Sequence, residues 1–208
     1  MNQIALPLDW PVADGDEDFL VSSSNQAAFD HFKRWSTWPV MATLLTGPRK
    51  SGRSLLARII VRKTGGRLFD NAEEHDEEAI FHAWNEAQEK RRPLLLVADA
   101  PPPAWHVKLP DLRSRLAATP HVRIEDPDDA LFGDLIVKLL ADRGIIVPPE
   151  VPPYLVPRVE RTYLSVQQIV DLIDRATLSH RRITVPMVKR VLTEGGMLRR
   201  ARTGSSDG

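Results

Sequence analysis

Pro39-Val40-Met41-Ala42-Thr43-Leu44-Leu45-Thr46 runs directly into Gly47-Pro48-Arg49-Lys50-Ser51-Gly52-Arg53-Ser54. The first half is apolar on both faces, the pattern of a strand buried inside a parallel sheet. The second half has the form G-x-x-x-x-G-x-[ST], and helix-forming residues follow from Leu55 to Arg62. Strand, glycine-bearing loop and helix together make the setting of a phosphate-binding loop. There the backbone N–H groups of the loop and of the first helical turn converge at the positive end of the helix dipole. Gly47, Lys50, Ser51, Gly52, Arg53 and Ser54 are therefore the candidate nucleotide contacts. Ser54 keeps the hydroxyl that ligates Mg²⁺. Arg53 stands where a lysine is expected, and a planar guanidinium does not simply replace an ammonium inside a tight anion nest. Lys50 is at the wrong position to substitute for it. The plain alternative is a relic loop that makes the turn and holds nothing.

Composition bounds what surrounds this loop. A chain of 208 residues with 42% hydrophobic content buries a real core, as one domain of moderate size or a core with a small appendage. The absence of cysteine excludes disulfides and thiolate metal sites. His31, His75, His82, His106, His121 and His180 have no ligand spacing. With 28 basic and 28 acidic residues the chain lacks the field of a nucleic-acid-binding protein, so no direct sequence-specific nucleic-acid contact is expected. No apolar run is long enough to span a bilayer, and a cytoplasmic location is expected.

Gln3-Ile4-Ala5-Leu6-Pro7-Leu8 reads as a docking peptide. It lacks the basic flank of a signal sequence and is followed by Asp9 and by Asp14-Gly15-Asp16-Glu17-Asp18. Pro7 fixes its own φ and holds Leu6 extended, so Leu6 and Leu8 have little ordering entropy left to lose on entering a groove. Gln3 adds a directional polar handle. The spacing resembles the peptide by which bacterial replication proteins attach to the DNA polymerase sliding clamp. The competing reading folds Ile4, Leu6 and Leu8 back onto the body as a staple.

A wider resemblance rests on this leader, on Asp18-Phe19-Leu20-Val21-Ser22-Ser23-Ser24-Asn25, on the Gly52-Arg53-Ser54 ending, on Leu109-Pro110-Asp111-Leu112-Arg113-Ser114-Arg115-Leu116 and on the helical tail. Together they look like the Hda/HdaA family, relatives of the bacterial replication initiator DnaA, over residues 3 to 193. The resemblance implies an α/β fold: an AAA+ P-loop core with a parallel sheet, plus a small all-α lid. Residues 1–18 would be a flexible leader, 19–126 the core, 127–194 the lid and 195–208 a disordered tail, with no C-terminal DNA-binding domain. It further implies the clamp (beta subunit) as partner through Gln3, Leu6, Pro7 and Leu8, and DnaA as the target whose ATP hydrolysis is promoted. Nucleoid association through the clamp follows, ADP or ATP with Mg²⁺ is the implied cofactor, and self-association is left open.

Several positions depart from an active ATPase. Arg67-Leu68-Phe69-Asp70-Asn71-Ala72-Glu73 would deliver Asp70 as the Walker B acid, the metal partner of Ser54, but it follows Gly65-Gly66 so closely that either one strand-helix unit of the core is shortened or deleted, or this strand is its remnant and the true Walker B strand is missing; the resemblance of Asp76 to Asn85 to the family helix after Walker B favours the deletion. Asn71 takes the place of the second acid, and an amide cannot accept a proton from the attacking water. Leu94-Leu95-Leu96-Val97-Ala98-Asp99 ends in Ala98 and Asp99 at the sensor-1 position, and taken alone it also reads as a Walker B strand with Asp99 as the acid. Leu164 falls at the sensor-2 position, and its plainer reading is core packing. Arg115 lies in the segment matching the arginine-finger box, where a guanidinium offered across a subunit junction stabilises a neighbour's γ-phosphate; otherwise it is a surface arginine in a helix-end salt bridge.

In the lid, Asp126-Pro127-Asp128-Asp129 starts a helix bearing Leu131, Leu135, Ile136, Leu139 and Leu140. Pro148 to Pro153 reads as a stiff connector, Arg158 to Arg175 as one or two helices, and Thr184-Val185-Pro186 as the start of a last helix over Met187 to Leu192. The whole predicts a regulator supplying Arg115 in trans. The rivals are a P-loop ATPase or kinase working through Arg53 and Asp99, and a nonenzymatic clamp-bound scaffold or helicase-loading module.

Overall fold

The computed structural model describes residues 19–178 and 182–198; Gln3, Leu6, Pro7 and Leu8 of the leader and residues 199–208 of the tail lie outside them. The described chain forms two compact units that divide between Asp126 and Pro127.

The first unit is built on a parallel sheet of strands β1 (Ala42–Thr46), β2 (Arg67–Asp70), β3 (Leu94–Val97) and β4 (His121–Arg123), in the order β2-β3-β1-β4. The two central strands, β1 and β3, are buried along their whole length, which explains their unbroken apolar reading. Leu44 pairs with Leu96 across the centre, and Leu96 pairs in turn with Phe69 on the edge strand. Helix α1 (Gln26–Lys33) buries Ala28, Phe29 and Phe32. Asn25 precedes it, yet its side chain caps nothing: the amide donates to Leu20 O and its oxygen accepts from Ser22 N, tying the entering strand of chain into a turn.

From β1 the chain crosses through α2 (Arg53–Thr64) to β2, two places away, and β3 later fills the gap. The AAA+ core that the sequence resembles carries a further strand and helix here, whereas this chain goes straight from α2 into the edge strand. Gly66 makes the short route feasible. A Cβ at Gly66 would stand 2.3 Å from Pro93 O, and that close approach lets Arg67 N donate to Pro93 O at 2.8 Å and start the β2–β3 ladder. Helix α3 (Glu77–Lys90) begins at Asp76, whose carboxylate accepts from Ala79 N, and buries Ile80, Ala83 and Ala87. Helix α4 (Pro110–Ala118) starts with proline at a position where no N–H is needed and buries Leu112 and Leu116.

The second unit contains α5 (Asp129–Ala141), α6 (Val151–Leu155), α7 (Tyr163–Thr177) and α8 (Val185–Glu194). Asp128, Thr162 and Thr184 each cap the helix that follows with a side-chain oxygen. Phe132, Ile136, Leu155, Ile169, Ile173 and Leu192 form the heart of the core. Two readings of this region need correction. Where the prolines suggest only a stiff connector there is a short helix, because Pro152 and Pro153 occupy its first turn, in which the missing N–H groups cost no hydrogen bond. Leu164 is not core: it is 54% exposed. The buried stripe of α7 runs through Tyr163, Val166, Ile169, Val170 and Ile173, and Leu164 lies off it, on the outer side of the first turn. Arg143, just past α5, forks onto Asp171 and Asp174 of α7 at 2.7 and 3.4 Å.

Candidate functional site

The loop between β1 and α2 has the backbone of an anion nest. Lys50 and Gly52 both adopt left-handed conformations, with φ of 67° and 86°, and Gly52 opens α2. A Cβ at Gly47 would come within 2.7 Å of Ile124 O, so the start of the loop presses on the chain leaving β4. Phe19 lies against Gly52 from the other end. A cavity of about 330 Å³, lined by Thr46, Gly47, Arg49, Asp99 and Arg123 among others, opens at the carboxyl ends of β1, β3 and β4. In an open parallel sheet this is where ligands bind.

The side chains of the nest are largely engaged with one another. Ser54 Oγ donates to Asp70 Oδ1 at 2.7 Å, and the other oxygen of Asp70 is 3.4 Å from the Arg58 guanidinium. Asp70 thus stands beside the loop hydroxyl, and β2 carries it there. Asp99 is turned to another task. Arg53 donates from Nη1 to Ala98 O at 2.6 Å and from Nη2 to Asp99 Oδ1 at 2.7 Å, and Arg49 approaches the second oxygen at 3.5 Å. The hydrogen bond from Arg53 holds the Asp99 carboxyl below its usual range. Glu73, two residues beyond Asn71, accepts from Asp99 N at 2.8 Å and so fixes the end of β3. Asn71 itself is left-handed, with φ of 53°, at the head of a short turn of 3-10 helix.

The donor set fits a phosphate group. Ser51 is buried and its Oγ has no partner among the described residues, an orphaned donor inside the nest. Ser54 and Asp70 supply the hard oxygen pair that a nucleotide-bound Mg²⁺ takes, one hydroxyl and one carboxylate. Among the described residues no cluster of three or more His, Asp or Glu side chains could hold a metal without the nucleotide.

Arg115 sits on α4, some distance in sequence from the loop but in the same unit. Its Nε donates to Asn85 Oδ1 at 2.9 Å, and its guanidinium lies 5.0 Å from the Phe81 ring and 4.9 Å from that of Trp84. The contacts replace the alternative of a helix-end salt bridge, since no carboxylate lies within ion-pair reach among the described residues. Arg113 instead donates to Val107 O through Nε and Nη2. Glu77, at the start of α3, accepts from Lys108 N and Leu109 N at 2.9 and 2.6 Å, which ties the start of α4 to the start of α3. Those backbone donors, Lys108 first, lower the Glu77 pKa. Reading the sequence passed over Glu73, Glu77, Phe81, Trp84 and Asn85. The last three had one available signal, their i, i+3, i+4 spacing on one face of a helix.

A parallel sheet with a P-loop-like turn at its switch point, a carboxylate delivered beside the loop serine and a separate all-α unit make an α/β fold of the AAA+ type. Residues 136–192 match the family model described as "Hda, lid domain". Among solved structures the chain is similar to domain III of the replication initiation protein DnaA from Thermotoga maritima, with a TM-score of 0.70, 14% identity, and 86% of this chain and 95% of that one covered. It is also similar to AMPPCP-bound DnaA from Aquifex aeolicus, with a TM-score of 0.58, 17% identity and 76% and 63% coverage. A third likeness is to the RuvB Holliday junction branch migration motor of Thermotoga maritima, with a TM-score of 0.63, 14% identity and 86% and 70% coverage. An uncharacterized protein of Haemophilus influenzae is 33% identical over 116 residues, which span 55% of this chain and only 50% of that relative. Residues 136–192, in the second unit, thus match an Hda lid, and the described chain has the fold of DnaA domain III and of other AAA+ domains. Among the described residues no helix is long and apolar enough to cross a membrane.

Proposed function

We propose that this protein is a DnaA-related regulator of replication initiation that docks on the DNA polymerase sliding clamp through Gln3, Leu6, Pro7 and Leu8 and promotes ATP hydrolysis by DnaA, limiting re-initiation. What supports the reading is the pairing of an Hda lid with a DnaA-type core in which Arg115 carries an unneutralised guanidinium. Docking concentrates the regulator where clamp-bound replication has just occurred, and a finger in trans supplies charge that the target's own site lacks. Capture of DnaA by clamp loaded on DNA is expected only when this chain is present. Leu6→Ala with Leu8→Ala is expected to weaken retention on immobilised clamp by a factor of about ten or more, from the loss of two apolar anchors. Wild-type retention by that double variant would sink the docking assignment.

The nucleotide of the chain itself has a subsidiary place in this reading. When bound, ADP or ATP with Mg²⁺ would supply phosphate charge to order the loop. Gly47, Lys50, Ser51, Gly52, Arg53 and Ser54 would hold the phosphates, and Ser54 with Asp70 the metal. Arg53 must first leave Asp99, which occupies the guanidinium as an internal anion. Asp99→Ala is therefore expected to raise affinity for Mg²⁺-ADP about tenfold, the worth of one charge-assisted hydrogen bond no longer competing. Titration calorimetry reads this directly, and equal or weaker binding by the variant would show that Asp99 serves the nucleotide. The pairing of Arg53 with Asp99 also disfavours a self-sufficient ATPase or kinase, because the cation and the acid that such an enzyme would use neutralise each other.

A further inference from the structure

We propose that Phe81, Trp84 and Asn85 are positioning residues: a neutral clamp on α3 that presents the Arg115 guanidinium edge-on to the terminal phosphate of a nucleotide held by a neighbouring AAA+ subunit. The inference rests on the finger reading above and adds to it the device that orients the finger. The three residues are spaced i, i+3, i+4 and so share one face of α3. Phe81 and Trp84 give the guanidinium two aromatic faces, at 5.0 and 4.9 Å. The Trp84 ring is itself fixed: its Nε1 donates to Thr119 Oγ1 at 3.0 Å, and that hydroxyl donates to Arg115 O at 2.8 Å. Thr119 is buried, so the loop of contacts from Arg115 through Thr119 and Trp84 back to Arg115 is closed and rigid. Asn85 takes the one remaining donor on the inner edge, Nε, at 2.9 Å.

Two features distinguish presentation from ordinary packing. The clamp engages Nε alone, and neither terminal amino group of Arg115 has a hydrogen-bond partner among the described residues. Those groups form the fork that matches two phosphate oxygens. Every part of the clamp is also uncharged. Arg53, Arg143 and Arg161 each rest on carboxylates, which cancel their charge, whereas Arg115 rests on rings and an amide, which leave it whole. An oriented cation that has already lost its rotamer freedom is what stabilises charge developing elsewhere without reorganising at the moment of reaction. The hydrogen bonds that Lys108 N and Leu109 N donate to Glu77 tie together the starts of the two helices on which the clamp depends.

The experiment uses the full chain, clamp loaded on DNA and ATP-bound DnaA, and measures stimulated ATP turnover against the concentration of regulator. Asn85→Leu is expected to lower maximal turnover about tenfold while leaving the half-maximal concentration unchanged. Asn85→Asp, which keeps an acceptor for Nε–H but sets a carboxylate against the guanidinium, is expected to stay as low as Asn85→Leu, because the added charge cancels that of Arg115. Arg115→Lys, which keeps charge but neither fork nor plane, is expected to fall at least as far as Asn85→Leu. In the unmutated chain the Arg115 Nε–H, observed by ¹⁵N NMR, is expected to exchange with water at least tenfold more slowly than that of free arginine. Exchange as fast as free arginine, or an Asn85→Leu variant that turns over like wild type while Arg115→Ala is dead, would overturn the clamp and leave the finger standing. Undiminished turnover by Arg115→Ala would overturn the finger and the clamp with it.

Discussion

Arg115→Ala removes the stimulated component of DnaA-catalysed ATP hydrolysis, a loss on the order of 10³-fold, the worth of an arginine finger delivered in trans. Retention on the clamp stays at the wild-type level, because the proposed anchors Leu6 and Leu8 are remote from α4 in the chain. The size of the effect follows from where the charge is spent. A guanidinium offered to a γ-phosphate gains most when negative charge redistributes over the transferring group, so its loss falls on turnover and little on assembly. Single-turnover hydrolysis of ATP prebound to DnaA, with regulator in excess, separates the two. Turnover that survives the substitution would assign the promotion of hydrolysis to some other group. A parallel loss of clamp retention would instead indicate a misfolded variant, and unchanged far-ultraviolet circular dichroism excludes that.

The sequence made the core legible because its strongest signal is also its most constrained element. β1 and the loop after it are readable since a buried strand must be apolar on both faces and a nest must have residues that tolerate left-handed backbone. The closeness of Gly65-Gly66 to Asp70 leaves two readings, a deleted strand-helix unit or a remnant strand, and the resemblance of the following Asp76–Asn85 segment to the family helix after Walker B favours deletion. What could not be read were contacts between residues far apart in the chain. Nothing in the order of residues indicates that Arg53 faces Asp99, 46 positions on, in preference to a phosphate. Nor does it show that Asn85 meets Arg115 across 30 positions, since an asparagine in mid-helix is unremarkable until another helix is laid beside it. Leu164 misled for a related reason. A leucine beside a buried tyrosine counts as apolar in any window, and only the rotation of α7 decides which of two neighbours faces inward.

The sheet centre is the point at which the first unit is most sensitive. Leu96→Ala is expected to cost about 2–5 kcal/mol, the range for deleting a fully buried leucine side chain from a core that relaxes only partly. Leu96 is wholly buried on β3 and stands in register with Leu44 on one side and Phe69 on the other, so a cavity there has neighbours on both adjoining strands and no route to solvent. Against a total stability of about 5–15 kcal/mol, this is enough to unfold a substantial fraction near physiological temperature. The chain supplies its own reporter. All 5 tryptophans lie before residue 127 and both tyrosines after it, so tryptophan fluorescence follows the first unit while the second contributes no tryptophan signal. In urea the tryptophan-detected midpoint is expected to fall by about 0.7–5 M at an unchanged slope, from the ratio of this cost to a slope of about 1–3 kcal/mol/M. Leu164→Ala serves as the contrast, since an exposed leucine off the buried stripe changes stability by less than about 0.5 kcal/mol and lies outside the tryptophan-bearing unit. A midpoint shift for Leu96→Ala no larger than that of Leu164→Ala would mean that β3 is not the central strand between β1 and β2, and the placement of both Asp70 and Asp99 at their strand ends would fall with it.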